Sequence, residues 1–327
     1  MTKLSELTTM RVGGTPAELL VAKSRDQLIE YALAVWQSGD DWVVLGGGSN
    51  IVAADDLDGL KVIKTENTGI ERNGNLFKVQ AGENWDAFVA HTVELGLSGV
   101  EALSGIPGCV GASPIQNIGA YGQEVADSIT RIEFLDYATH ELEIIENKDL
   151  GFGYRDSVIK RGKAGVVTWV EFELSETSSS LQRVTEAVGN ELTTPAEIRA
   201  AVLETRAQKG MVLSENDPDT HSCGSFFTNP IVSFGFASGL PINAPRWEQP
   251  DGNVKISAAW LIENSGVGKG FRLGNSNAST STKHCLAITN RGGASAQDVV
   301  ELARFIQTSV SNRYGINLVP EPNLIGF

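Results

Sequence analysis

The chain has 327 residues, 41% apolar and 20% charged, with a formal net charge of −14 at pH 7. That composition supports an ample buried core and excludes a disordered chain, and the length calls for two or three structural units. The net negative charge repels duplex nucleic acid and anionic membrane surfaces, so neither is an expected partner.

Cys109, Cys223 and Cys285 are widely spaced and show no C-x-x-C pattern, so free thiols in a reducing compartment are expected and no metal is. No run reaches the ~18 apolar residues of a membrane helix, and residues 1–14 lack the apolar core of a secretory signal. The expected location is the cytoplasm.

In chain order, residues 19–22 read as a short strand. Ser24 and Gln27 then form a capping box for a helix with Leu28, Tyr31, Ala32, Val35 and Trp36 on its apolar face and Gly39 at its end. Residues 42–45 are a second strand, followed directly by Gly46-Gly47-Gly48-Ser49-Asn50. A glycine turn at the carboxyl end of a strand in a β-α-β unit is where α/β folds bind ligands. The dinucleotide fingerprint G-x-G-x-x-G fails, because Ile51 stands at its last glycine and 51–54 reads as extended chain. A pyrophosphate cradle of backbone N–H groups and a plain tight turn both stay open for this loop.

Residues 61–64 and 76–81 read as strands on either side of the turn signal Asn73-Gly74. Asn84 caps a helix running to Leu95, with Trp85, Phe88, Val89 and Thr92 on one side and Gly96 after it. The stretch 104–124, SGIPGCVGASPIQNIGAYGQE, follows. It fits neither the helical nor the strand period. Its five glycines permit positive φ and close approach, and Ile106, Val110, Ile115 and Ile118 set it apart from an ordinary polar loop. Successive N–H groups in such a segment form concave anion sites, so it reads as a wrap around a partly anionic ligand.

Residues 129–137 and 141–146 read as a hairpin, 166–174 as a strand, and 175–180 as a polar exposed segment. Thr194-Pro195-Ala196-Glu197 opens a helix with a capping box and runs to Gly210. A new unit begins near there. Residues 213–223 are polar, with Asp217-Pro218-Asp219 breaking regular structure, and 257–264 is helical. Ser295 opens a last long helix with Val299, Leu302, Ala303, Ile306 and Val310 at core spacing and Gly315 at its end; 316–327 is apolar and extended. The order is α/β, then mixed, then α+β.

Four motifs carry chemistry. In Gly153-Tyr154-Arg155-Asp156-Ser157 the planar fork of Arg155 suits a carboxylate. Arg206 and Lys209 stand at a helix end, where cations complement the dipole; phosphate binding by Lys209 is the sharper alternative. In Ser222-Cys223-Gly224-Ser225-Phe226-Phe227-Thr228-Asn229-Pro230, Gly224 sets Ser225 on an accessible bend; G-x-S-x-G is absent, which argues against a nucleophilic triad and leaves a proton-donating serine. Glu321 is held between Pro320 and Pro322 inside an apolar tail.

Together with L-T-T-M-R-V-G-G at 7–14 and Lys269-Gly270 after Trp260, these motifs resemble, in order and content, the UDP-N-acetylenolpyruvoylglucosamine reductase (MurB) family of bacterial cell-wall synthesis. The resemblance spans nearly the whole chain. It implies an α+β protein with a vanillyl-alcohol-oxidase-type, two-subdomain FAD-binding fold and a third α+β substrate-binding domain. The implied bounds are 1–66 and 67–208 for the FAD subdomains and 209–316 for the substrate domain, with the tail 317–327 packing back. FAD is held non-covalently by Gly46, Gly47, Gly48, Ser49, Asn50, Pro107, Gly108, Gly111, Ser113, Asn117, Gly119 and Tyr121. NADPH reduces it, and the enolpyruvyl group of UDP-N-acetylglucosamine-enolpyruvate is reduced to UDP-N-acetylmuramate.

By the same resemblance Ser225 donates the proton, Arg155 and Glu321 polarise the enolpyruvyl carboxylate, and Lys209 and Asn229 contact the UDP-sugar. Arg183 stands near the place of a tyrosine that one branch of the family closes over the diphosphate, and Lys209 lies further from Ser225 than the family's lysine does. A monomer is expected. The competing readings are an FAD-dependent 2-hydroxy-acid or alcohol oxidase on the same scaffold, and a non-catalytic sugar-nucleotide sensor.

Overall fold

The computed structural model describes residues 2–177, 181–188 and 192–327. The chain forms two compact units. One comprises Pro16–Gly48 and Asp58–Gln208; the other comprises Met1–Thr15, Ser49–Leu57 and Lys209–Phe327. They are called here the N-proximal and C-terminal units. Of the segment 175–180, residues 175–177 are exposed and 178–180 lie outside the described residues.

In the N-proximal unit the strands Glu18–Ala22, Lys61–Thr65 and Trp42–Leu45 form a parallel sheet in that spatial order. Helix α1 (Arg25–Ser38) packs Leu28, Ala32, Val35 and Trp36 onto it, alongside Ile63. Ser24 caps α1 through the Gln27 N–H, but the reciprocal arm differs from the expected box: Gln27 Oε1 accepts from Lys23 N–H, one residue before the cap. A second, five-stranded antiparallel sheet runs Leu142–Glu146, Ile129–Asp136, Gly165–Glu173, Leu76–Gln80, Ile70–Asn73. Helix α2 (Trp85–Glu94), capped by Asn84, buries Trp85, Phe88, Val89 and Thr92; Phe88 stacks 4.9 Å from Phe172. The Asn73-Gly74 signal marks a hairpin between Ile70–Asn73 and Leu76–Gln80, not one starting from 61–64. All four residues of Ile70–Asn73 are exposed, so this edge strand has no apolar face to announce it.

Two helices close this unit: α3 (Leu181–Val188), which the sequence reading lacks, and α4 (Pro195–Gln208). The capping box of α4 is present, with Glu197 N–H donating to Thr194 Oγ1 (3.2 Å) and Thr194 N–H donating to Glu197 Oε2 (3.0 Å). Val184, Ile198 and Val202 make a small satellite core with Ala102, and Tyr121 packs against it.

The C-terminal unit is built around α7, the helix Ala296–Tyr314, which follows two short helices, α5 (Phe234–Ser238) and α6 (Ala258–Asn264). Val299, Leu302, Ala303, Ile306 and Val310 face its core with Met10, Val52, Phe226 and Leu261. Ser295 and Asp298 close the cap and Gly315 ends the helix. Two small antiparallel sheets complete the unit, one of Ile231–Val232, Val254–Ile256 and Arg246–Glu248, the other of Ala278–Thr280 and Ile288–Asn290. The tail strand Asn323–Ile325 pairs in parallel with Ile51–Ala53. Asp55 accepts from the Ala296 N–H at the start of α7. No helix among the described residues is long and apolar enough to cross a membrane.

Candidate functional site

In the N-proximal unit the two glycine loops meet backbone to backbone. A Cβ on Gly47 would lie 2.5 Å from Gly108 Cα, and one on Gly46 would lie 2.5 Å from Cys109 Sγ. A Cβ on Gly111 would fall 2.5 Å from Ala81 Cβ. Side chains are excluded there, so the loops present peptide groups to each other and to whatever they enclose. Ser113 is buried, and its hydroxyl donates to Val110 O at 2.8 Å.

The second half of the glycine-rich segment is tied to the Arg155 turn. Asn117 is buried with φ 47°. Its Nδ2 donates to Gly153 O (3.0 Å) and to Glu124 Oε2 (2.8 Å), and its Oδ1 accepts from Ala126 N–H (3.1 Å). Arg155, itself at φ 54°, donates from Nη2 to Gly119 O at 2.8 Å. Left-handed backbone at three non-glycine residues here, Asn117, Tyr121 and Arg155, is strain of the kind that clusters at functional sites. Gly119–Ala120 and Gln123–Glu124 pair around the Tyr121-Gly122 turn. Arg183, on α3, has its Cβ 2.7 Å from where a Cβ on Gly122 would stand, and its guanidinium lies 3.7 Å from Asp127, with both side chains largely exposed.

In the C-terminal unit the backbone brings Ser225 and Glu321 together. Glu321 N–H donates to Phe226 O (2.9 Å), Thr228 N–H donates to Val319 O (3.0 Å), and Phe226 N–H donates to Leu286 O (2.8 Å). Ser225 therefore sits between Gly224, at φ 70°, and the buried Phe226, beside the proline-flanked glutamate. Asn50 Nδ2 donates to Glu321 O (3.3 Å), and Asn323 N–H donates to Asn50 O (3.0 Å), so the Ser49-Asn50 end of the first loop joins this cluster. Burial, with the Glu321 charge a smaller contribution, pushes the Cys223 thiol up to about 12 and keeps it protonated. Asn229 commits its Oδ1 to the Ala258 N–H at the start of α6 (2.9 Å).

Lys209 follows α4 directly. It and Lys269 both act on His284, whose imidazole is brought down to about 4 by burial and then by these two cations. Leu286 N–H donates to His284 Nδ1 (3.1 Å), so the neutral ring carries its proton on Nε2. His284 is a polar donor in a cationic cluster that the sequence reading did not single out. Its sequence signal is a His-Cys pair between the polar run 279–283 and the apolar Leu286-Ala287-Ile288. Arg206 stands in the last turn of α4, as read, and is buried, 9% exposed.

A glycine cradle with room only for backbone, joined to strained, hydrogen-bonded turns, defines a nucleotide-cofactor-binding protein. Residues 16–144 match the family model described as FAD binding domain, which makes this class FAD-binding proteins. Residues 217–325 match the model of the UDP-N-acetylenolpyruvoylglucosamine reductase C-terminal domain. The chain is 47% identical to the UDP-N-acetylenolpyruvoylglucosamine reductase of Leifsonia xyli subsp. xyli, over 99% of this chain and 98% of that one. It is 43% identical to the enzyme of that name from Mycobacterium tuberculosis, over 99% and 94%. The crystal structure of the Thermus caldophilus reductase (MurB) superposes with a TM-score of 0.70 at 28% identity, covering 99% of this chain and 97% of that one. The chain belongs to the UDP-N-acetylenolpyruvoylglucosamine reductase family. Its fold is α+β, an FAD-binding domain followed by the family's C-terminal domain.

Proposed function

We propose that this chain is an FAD-dependent reductase that uses NADPH to convert UDP-N-acetylglucosamine-enolpyruvate to UDP-N-acetylmuramate in peptidoglycan precursor synthesis. The observation that carries the reading is full-length identity to reductases of that name, with Arg155, Ser225 and Glu321 all present. Bound FAD would supply the hydride chemistry that links NADPH oxidation to reduction of the enolpyruvyl double bond. Gly46, Gly47, Gly48, Ser49, Asn50, Pro107, Gly108, Gly111, Ser113, Asn117, Gly119 and Tyr121 hold the cofactor, with Gly46, Gly47 and Gly111 at positions where a side chain of their own would not fit.

The protein's own part is positioning and proton supply. Arg155, anchored by its bond to Gly119 O, offers its charge to the substrate carboxylate and to the negative charge that spreads into it. Ser225 gives a proton to the carbon beside that carboxylate. Glu321, adjacent through the Phe226 backbone, completes the polarisation of the carboxylate. Lys209, Asn229 and Arg183 hold the diphosphate sugar. The three-part division at 66, 208 and 316, with the tail packing back, is the functional organisation we infer. A monomer working in the cytoplasm fits it.

Mixing the purified protein anaerobically with NADPH should bleach the flavin absorbance, and the enolpyruvyl UDP-sugar should restore it. Bleaching by a 2-hydroxy acid or an alcohol instead would favour an oxidase. Absence of any bleaching would favour a sensor.

A further inference from the structure

Helix α4 grips the glycine-rich segment at two turns. Ile198, Val202 and Arg206 recur at spacing four and so share one helix face. Ile198 and Val202 pack with Ala102 and Val184, and Tyr121 lies against them. Arg206 continues that face, buried within electrostatic reach of both the Tyr121 phenol and Asp86. One turn-pair earlier, Arg199 makes a two-pronged pair with Asp86 (2.6 and 2.8 Å), and Asp86 Oδ1 accepts from the Gly105 N–H at 2.6 Å. Burial pushes the Asp86 carboxyl up, but Arg199, the Gly105 N–H and Arg206 outweigh it and hold it below its ordinary range. Arg199 therefore holds a carboxylate that is bonded to the segment's first turn, and Arg206 lies near enough to add its charge there.

We propose that Arg206 is a positioning residue for flavin binding: lodged between Tyr121 and Asp86, it holds the Tyr121-Gly122 turn while Arg199, through Asp86, holds the Gly105 turn. This rests on the reading that the 104–124 segment holds FAD. A buried guanidinium costs desolvation wherever it sits, and burial indeed disfavours its charge here. An uncharged side chain would pack the Ile198–Val202 face as well. What an uncharged residue lacks is a buried charge beside the phenol of a strained turn, since Tyr121 is at φ 50° and packs on the same helix face. The function of Arg206 is thus order in the segment that meets the cofactor, not the reaction itself.

The test is FAD affinity, measured by fluorescence titration of the apoprotein. Arg206→Met keeps volume and removes charge; FAD should bind about tenfold more weakly or worse, the loss of one charge-assisted interaction. Arg206→Lys should recover part of that affinity. Tyr121→Phe should weaken FAD in the native background but cost much less in Arg206→Met, because the two act on one contact. Unchanged affinity in Arg206→Met, or strictly additive losses in the double variant, would overturn the assignment. If Arg206→Met does not fold, Arg206→Lys against Tyr121→Phe gives the same cycle. Failure of the native protein to bind FAD would count against the flavin reading instead.

Discussion

Gly47→Ala puts the cradle to a direct test. The added Cβ would stand 2.5 Å from Gly108 Cα, 2.9 Å from its carbonyl carbon and 3.2 Å from its nitrogen, all backbone atoms that cannot swing aside. Ordinary contact between such atoms is about 3.5–4.0 Å, so the two loops must part by about 1 Å. Overpacking of this kind costs ~1–3 kcal/mol of stability. The larger effect falls on the ligand. Losing one charge-assisted hydrogen bond to the FAD pyrophosphate is worth ~1.5–3 kcal/mol, or roughly ten- to hundredfold in Kd. The assay is FAD titration of the apoprotein beside its thermal melt. Gly39→Ala is the control. That position has nothing within 4 Å but sits at φ 73°, so it should lose ~1–2 kcal/mol of stability without touching FAD affinity. FAD binding within twofold of native in Gly47→Ala would refute the cradle.

Arg183→Ala should raise the KM for the UDP-sugar about tenfold, the value of one charge-assisted contact, and leave flavin reduction by NADPH unchanged; an unaltered KM would leave Arg183 as a surface partner of Asp127. Glu321→Gln keeps its size and the Phe226 backbone bond but cannot exchange a proton, so reduction by NADPH should be normal and reoxidation by substrate slow in rapid mixing; wild-type rates in both would make it structural. His284 should make stability fall with acid. Its folded value is about 4 against 6.5 unfolded, so the unfolded chain holds more protons between those values, and up to ~3 kcal/mol is lost as pH drops from 6.5 to 4. Denaturant titrations across that range should show a shallower pH slope in His284→Gln, and an equal slope would contradict the assignment.

What the sequence made legible is what local chemistry decides. Ser24, Asn84, Thr194 and Ser295 each cap the helix expected of them, because a side chain three residues from its N–H partner carries the whole signal. The buried face of α2 is the one its spacing requires. The strand Ile70–Asn73 was illegible because none of it is buried, and the sheets around Val254–Ile256 and Ile288–Asn290 because three residues are too few to show a period. The approach of Ser225 to Glu321 depends on pairing between remote stretches, 226–228 with 319–321, which no local pattern encodes. Resemblance carried those two residues where periodicity could not. The burial of Arg206 was illegible for the same reason: its place at a helix end does not tell which elements pack over it.

The central claim is that reduced flavin in this protein is reoxidised by the enolpyruvyl sugar with Ser225 supplying the proton. The most direct measurement is anaerobic rapid mixing of the NADPH-reduced native protein and of Ser225→Ala with UDP-N-acetylglucosamine-enolpyruvate, following flavin absorbance and the sugar product. The native protein should reoxidise in step with UDP-N-acetylmuramate formation. Ser225→Ala should be reduced by NADPH at the native rate but reoxidise about 10²–10⁴-fold more slowly, as for a lost general acid. Reoxidation of Ser225→Ala within roughly tenfold of native would contradict the serine's role, and reoxidation of the native protein only by dioxygen, with the sugar unchanged, would contradict the whole account.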